Sequence, residues 1–176
     1  MKMRDAKGFT LIELLIVVAI IGIIAASAVP GLLRARMAGN EASAIGSLRA
    51  INSSESTYSS SCGANGYAQT LEDLALPPAG TTAGFISPDL AVTNVIKSGY
   101  FVNLAPDAGA TTITLAAATC NGSAGDAMSS YFADALPASL GSTGQRSFGT
   151  DARGTIFFDN TGTQVVAGMA GLTPLQ

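Results

Sequence analysis

The 176-residue sequence contains no histidine. That absence removes the commonest general base and the imidazole metal ligand together. No G-x-S-x-G is present either, so the usual nucleophile and base pairings are missing. Cysteine is nearly absent: Cys62 and Cys120 are the whole complement. Their spacing matches no zinc motif, and no Cys-x-x-Cys-His occurs to attach a haem. Charge is sparse, with 12% of residues Asp, Glu, Lys or Arg. From residue 60 onward only Lys97, Arg146 and Arg153 are basic, against eight Asp and Glu. A dedicated nucleic-acid site needs clustered Lys and Arg, and such a surface does not supply them. There is no internal repeat and no long low-complexity tract. The expectation is a protein that is not an enzyme and carries no cofactor.

What the chain has instead is apolar residues in one place. Hydrophobic content is 48%, and much of it lies in the first 35 residues. Phe9 to Val29 is 21 residues long with Glu13 as its only ionisable side chain. As a helix it would span about 30 Å, the thickness of a bilayer core. Residues 1–8 carry Lys2, Arg4 and Lys7 against Asp5, a net of +2, which leaves −5 for residues 9–176 of a chain at −3. A basic start fits the cytoplasmic side of a membrane, although Arg34 and Arg36 after the run keep the asymmetry modest. Pro30-Gly31 then interrupts the pattern with helix-breaking chemistry. An amphipathic pattern resumes, with Leu33, Met37, Ile45, Leu48, Ile51 and Tyr58 on one stripe. Arg34, Arg36, Asn40, Glu41, Ser47 and Arg49 occupy the other positions. The helix is predicted from Phe9 to about Ser60.

After Cys62 the texture changes. Gly63 to Gly84 reads as loop, with a short helical turn at Leu71–Leu74. Strands are predicted at Tyr100–Leu104, Thr111–Ala117, Ser130–Asp134, Arg146–Thr150 and Thr155–Asp159. Alternation in Thr112-Ile113-Thr114-Leu115 suggests a half-buried strand. Asp151-Ala152-Arg153-Gly154 is a hairpin signal, and Asn160-Thr161-Gly162 another turn. The fold class is α+β, a long N-terminal helix on an antiparallel β-sheet head. The expected organisation is a leader at 1–8, a membrane helix at 9–30, an amphipathic helix at 31–61 and a globular head at 62–176. In an exported chain, Cys62 and Cys120 form one disulfide; two free thiols would be the cytosolic alternative.

Lys7-Gly8-Phe9-Thr10-Leu11-Ile12-Glu13-Leu14 resembles the class III signal of the type IV pilin and pseudopilin superfamily. The short basic leader, Gly before the cut, Phe after it, and Glu as fifth residue of the cut chain carry the resemblance. The apolar run and Pro30 extend it to about residue 35. Beyond that only the architecture is similar, with a weaker likeness around Arg146, Phe148 and Asp151. The resemblance implies cleavage after Gly8 by a prepilin peptidase and N-methylation of Phe9. It also implies assembly from the inner membrane into a helical filament with other pilin subunits, driven by a cytoplasmic ATPase and a platform protein. The precursor would be single-pass in the inner membrane and the product a periplasmic or cell-surface filament. The cysteines depart from many Gram-negative relatives, whose disulfide lies near the C-terminus.

Cleavage would leave an α-ammonium on Phe9, one turn before Glu13. Each charge is costly in lipid unless paired or neutralised. In a filament, Glu13 of one subunit would meet the Phe9 amine of a neighbour and set axial register. Gly22, Ala25, Ala26 and Ala28 would permit close helix approach. Pro30 would let the helix bend or locally melt during extraction, or act as an ordinary membrane kink. A type II secretion pseudopilin would use the same leader and helix. A soluble secreted domain released after Ala28 is the reading from another class. Asp151 and Asp159 flank the last hairpin as weak metal candidates, with ordinary turn chemistry the preferred reading. Asn52-Ser53-Ser54 and Asn121-Gly122-Ser123 match the glycosylation triplet.

Overall fold

The computed structural model describes residues 8–175; the expected leader, apart from Gly8, lies outside them. Helix α1 spans Leu11–Ser61 and α2 spans Leu71–Ala75. The strands are β1 (Val95–Lys97), β2 (Tyr100–Pro106), β3 (Thr112–Thr114), β4 (Ala127–Met128), β5 (Tyr131–Pro137), β6 (Ser147–Asp151), β7 (Ile156–Asp159) and β8 (Thr173–Pro174). The chain divides into two compact units, one ending at Arg36 and one beginning at Met37.

The first unit is the stem, the front part of α1. Its window of membrane-grade hydropathy has no buried residue. Leu11, Ile12, Ile23 and Leu32 each leave more than two-thirds of their surface open. Among the described residues, α1 is the one helix long and apolar enough to cross a membrane by length and composition. Pro30 lies inside it without ending it. A proline there removes one backbone hydrogen bond, and the turns on either side hold the helix.

The second unit is the head. From Met37 the helix buries a stripe of Met37, Glu41, Ala44, Leu48, Ile51, Glu55 and Tyr58, at spacings of three and four. This stripe meets one face of a six-stranded antiparallel sheet, ordered β1-β2-β5-β6-β7-β8. Register places Val102 beside Ala135, Ala135 beside Phe148 and Phe148 beside Phe158. Alternation along the strands then sends Tyr100, Val102, Leu104, Tyr131, Ala133 and Phe148 into one core with Leu48, Ile51 and Tyr58. Burying each large side chain contributes roughly 1.5–3 kcal/mol.

The sheet's other face is covered as well. Phe132 packs there with Val165 and Met169, and Phe157, Ala167 and Leu172 border the cluster. The segment after β7 thus crosses the sheet before β8 pairs with β7. A separate two-stranded piece, β3 with β4, lies in the connection between β2 and β5.

Several expectations need correction. Thr111–Ala117 is not one strand: pairing stops at Thr114, and Ala116–Ala118 turns as a 3₁₀ helix. Ile113 and Leu115 are exposed rather than half-buried. The alternation is present, but no layer lies against it. Leu33 is also exposed, whereas Glu41 and Ser47, assigned to the polar side, are buried. Ser47 returns its hydroxyl to the Ser43 carbonyl at 3.1 Å. Glu41 is held by Arg146, whose Nε and Nη2 donate to Oε2 at 2.9 and 2.6 Å. The Gln145 and Arg146 amides both donate to Oε1, at 3.0 and 3.3 Å. The Arg146 guanidinium also lies over the Phe148 and Phe158 rings, 5.5 and 5.3 Å from their centres.

Other readings hold. Gly154, at φ 73°, closes the β6–β7 hairpin with its N–H on the Asp151 carbonyl. Cys62 and Cys120 form a disulfide across 58 residues of chain, joining the end of α1 to the turn after Ala118. At Gly144 a Cβ would fall 1.9 Å from the Tyr100 hydroxyl, so only glycine fits beneath that ring.

Two outcomes follow for stability. Replacing both Cys62 and Cys120 with serine should cost roughly 4 kcal/mol by the loop-entropy relation, read as a lower denaturant midpoint. Glu41→Ala should cost about 3 kcal/mol, because it strands a partly buried guanidinium and two backbone donors. A change below about 0.5 kcal/mol would show that the Glu41–Arg146 clamp does not anchor the helix to β6.

Candidate assembly site

The front of α1 is built by a local device. Thr10 lies immediately before the first helical residue, Leu11. Its hydroxyl oxygen accepts the Glu13 N–H at 3.3 Å. In return, the Glu13 carboxylate accepts the Thr10 backbone N–H at 2.9 Å and the Thr10 hydroxyl at 2.5 Å. This reciprocal pair is a capping box, which satisfies two donors at the helix start. The carboxylate also stands at the positive end of the helix dipole. Both bonds fall on Oε2, and Oε1 takes none among the described residues.

The sequence reading of Glu13 missed this role. The signal was available as Thr-x-x-Glu ahead of an apolar run. Glu13 is thus a helix cap in its own chain as well as an acid at the head of an apolar stem. It makes no ion pair among the described residues.

Gly8 and Phe9 precede the cap and belong to no helix or strand. Phe9 is 80% exposed, and nothing lies within 4 Å of where a Cβ on Gly8 would be. Ala28, by contrast, lies in the interior of α1. Gly22 has open space beside its Cα, and so has Gly31, next to Pro30. Ser27 turns its hydroxyl back to the Ile24 carbonyl at 2.9 Å, leaving the stem surface apolar.

The remaining sequence candidates sit in the head. Asp151 pairs with Arg153 at 2.6 Å and accepts the Arg153 N–H at 2.9 Å. Asp159 accepts the Thr161 N–H at 2.8 Å and the Thr163 hydroxyl at 2.6 Å. Ser147 is opposite Asp159 and Asp151 is four residues further along β6, so the two acids occupy opposite ends of the hairpin. Among the described residues no group of three metal-ligating side chains forms. Both glycosylation triplets have engaged amides. Asn52 donates to the Thr150 hydroxyl and the Gly154 carbonyl, and Asn121 donates to the Asp73 and Leu76 carbonyls.

The chain can now be set beside known proteins. Residues 3–29 match the family model of the prokaryotic N-terminal methylation motif. Over 39 residues the chain is 67% identical to the type IV wide pilus major component PilA4 of Thermus thermophilus. That match covers 22% of this chain and 30% of the relative, so it spans under a third of the relative's length. No solved structure matches. Both similarities are confined to short segments, and the matched motif contains the cap, the exposed Phe9 and the apolar stem just described. In its N-terminal segment, with a head of α+β architecture behind it, this chain is similar to type IV pilins.

Proposed function

We propose that this protein is a structural subunit of a type IV pilus. In this reading a prepilin peptidase cuts after Gly8, Phe9 becomes the N-methylated first residue, and the stem of α1 packs with stems of other copies. The observation that carries the reading is the stem itself. A helix apolar on every side, with no buried residue in its membrane-grade window, requires lipid or other helices around it. The bilayer supplies one environment and a bundle of identical stems the other. The relative's role as a pilus major component supports the filament as the second.

Glu13 gives the bundle its register. Before assembly the Thr10 cap spreads the carboxylate charge over two donors, which reduces the cost of an acid in an apolar setting. Oε1 remains available, and the ammonium created on Phe9 of an adjoining copy is the partner of matching chemistry. A subunit out of register leaves two charges unpaired where water is scarce, so the misplacement is costly. Pro30 contributes by removing one helix bond at the junction with Gly31, where bending takes least energy. A cytoplasmic ATPase and a platform protein would lift each copy from the inner membrane into the growing fibre.

Two measurements test this. Mass spectrometry of mature protein should show a chain beginning at a methylated Phe9; retention of residues 1–8, or a start at Val29, would sink the proposal. Glu13→Ala should still insert in the membrane but yield few or no sheared surface fibres. Fibres in normal number from that variant would remove the pairing role.

A further inference from the structure

The head holds an acid whose surroundings are unbalanced. Glu55, on α1, is completely buried. Its Oε2 accepts the Ala68 N–H at 2.9 Å, while its Oε1 has no partner. Gln69 Oε1 and Asp73 Oδ2 are also buried and unpartnered. All three atoms are acceptors that lack a donor. The Gln69 amide cannot be turned to help, because its nitrogen already donates to the Tyr67 and Ala68 carbonyls at 2.8 and 3.0 Å. Asp73 uses Oδ1 on the Ala124 N–H at 2.7 Å.

Among the described residues no cation compensates this cluster. Arg146, Arg153 and Lys97 are paired with Glu41, Asp151 and Asp89. Arg34, Arg36 and Arg49 are exposed. The charged group that acts on Glu55 from a packed element is Asp73 from α2, and Glu55 in turn acts on Tyr58 from α1 and Tyr131 from β5. The Tyr131 ring in turn packs on Tyr67. Tyr58 shares its hydroxyl with Ser123 and Tyr131 donates to Asn52, so neither phenol serves Glu55. Two buried carboxylates without counter-charge cost far more than a folded domain can supply.

We propose that Glu55 carries a proton in the folded head and acts as a pH-released latch, holding the Tyr67–Asp73 segment on α1. A proton on Oε1 removes one of the two charges. It also converts an acceptor without a donor into a donor, within a cluster that has acceptors to spare. Burial, followed by the Asp73 charge, pushes the Glu55 carboxyl well above its ordinary value, and the bond from Ala68 pulls it partly back. When the proton leaves, two like charges share the interior. Opening the segment to water relieves them at lower cost than unfolding the whole head. The Cys62–Cys120 bond nearby would limit how far the opening spreads.

The sign follows from linkage. The folded head binds the Glu55 proton more tightly than the unfolded chain, so this stability is complete below about 4.5 and is lost as pH rises through the folded value. Asp134, on the other sheet face, is raised by burial to about 6 and adds a loss of the same sign between 3.8 and 6.

The test uses the full chain in detergent micelles, with urea unfolding and amide exchange followed from about pH 5 to about pH 9. In the wild type the unfolding constant should rise by up to about tenfold per pH unit, and protection of residues 67–73 should fall in parallel. Glu55→Gln keeps an acceptor for Ala68 and a donor in place of the proton. It should lose this dependence apart from the Asp134 portion, and it should be the more stable protein at the alkaline end. Asp73→Asn removes the neighbouring charge and should shrink the wild-type loss. Equal pH slopes in wild type and Glu55→Gln would overturn the latch. So would restoration or loss of protection at alkaline pH on adding calcium or a chelator, because the carboxylates would then hold a cation.

Discussion

A helix that is apolar all round for its first two dozen residues cannot be satisfied by its own chain. That constraint governs the rest of the molecule. It fixes the need for lipid or other helices around that surface. It also explains why polar groups in the stem turn inward on the backbone, as at Ser27, or cap the helix, as at Glu13. With no internal partner, the stem's surface needs an apolar environment, and every exposed polar atom there would weaken it.

The head solves the opposite problem. Its sheet is buried on both faces, by α1 on one side and by the segment after β7 on the other. Apolar packing supplies the bulk of the stability, and a few polar locks select the arrangement. Glu41 with Arg146 ties the helix to β6, and the disulfide ties the helix end to the connection before β4. Glu55 fixes the chain just after the helix. These locks are spread along one helix, at Glu41, at Glu55 and at Cys62 just past its end. The same element that leads into the stem is therefore gripped along its length in the head.

The two regions differ in how much of them could be read in advance. The stem was legible because its signals are local: length, hydropathy, a lone carboxylate, and glycine before phenylalanine. The helix end, the β6–β7 turn and most of the sheet followed from similarly short patterns. Burial of Glu41 and Glu55 did not, since their partners lie 105 and 13 residues downstream and helical periodicity counts an acid as outward-facing. The strand at Thr111–Ala117 was overextended because alternation predicts a face without predicting anything to cover it. The reverse error concerned residues 160–175, which show no periodicity yet cover a sheet face through Val165 and Met169. Near the stem, Thr10 and Glu13 form a recognisable pattern that the pairing argument hid.

The cover formed by residues 160–175 constrains biogenesis. A chain is synthesised N-terminus first, and this sheet has one bare apolar face until that cover arrives. Phe132 and Phe157 stay wet throughout that interval, and the β7 edge remains unpaired. Completion of the head thus waits for the last stretch of chain to be synthesised.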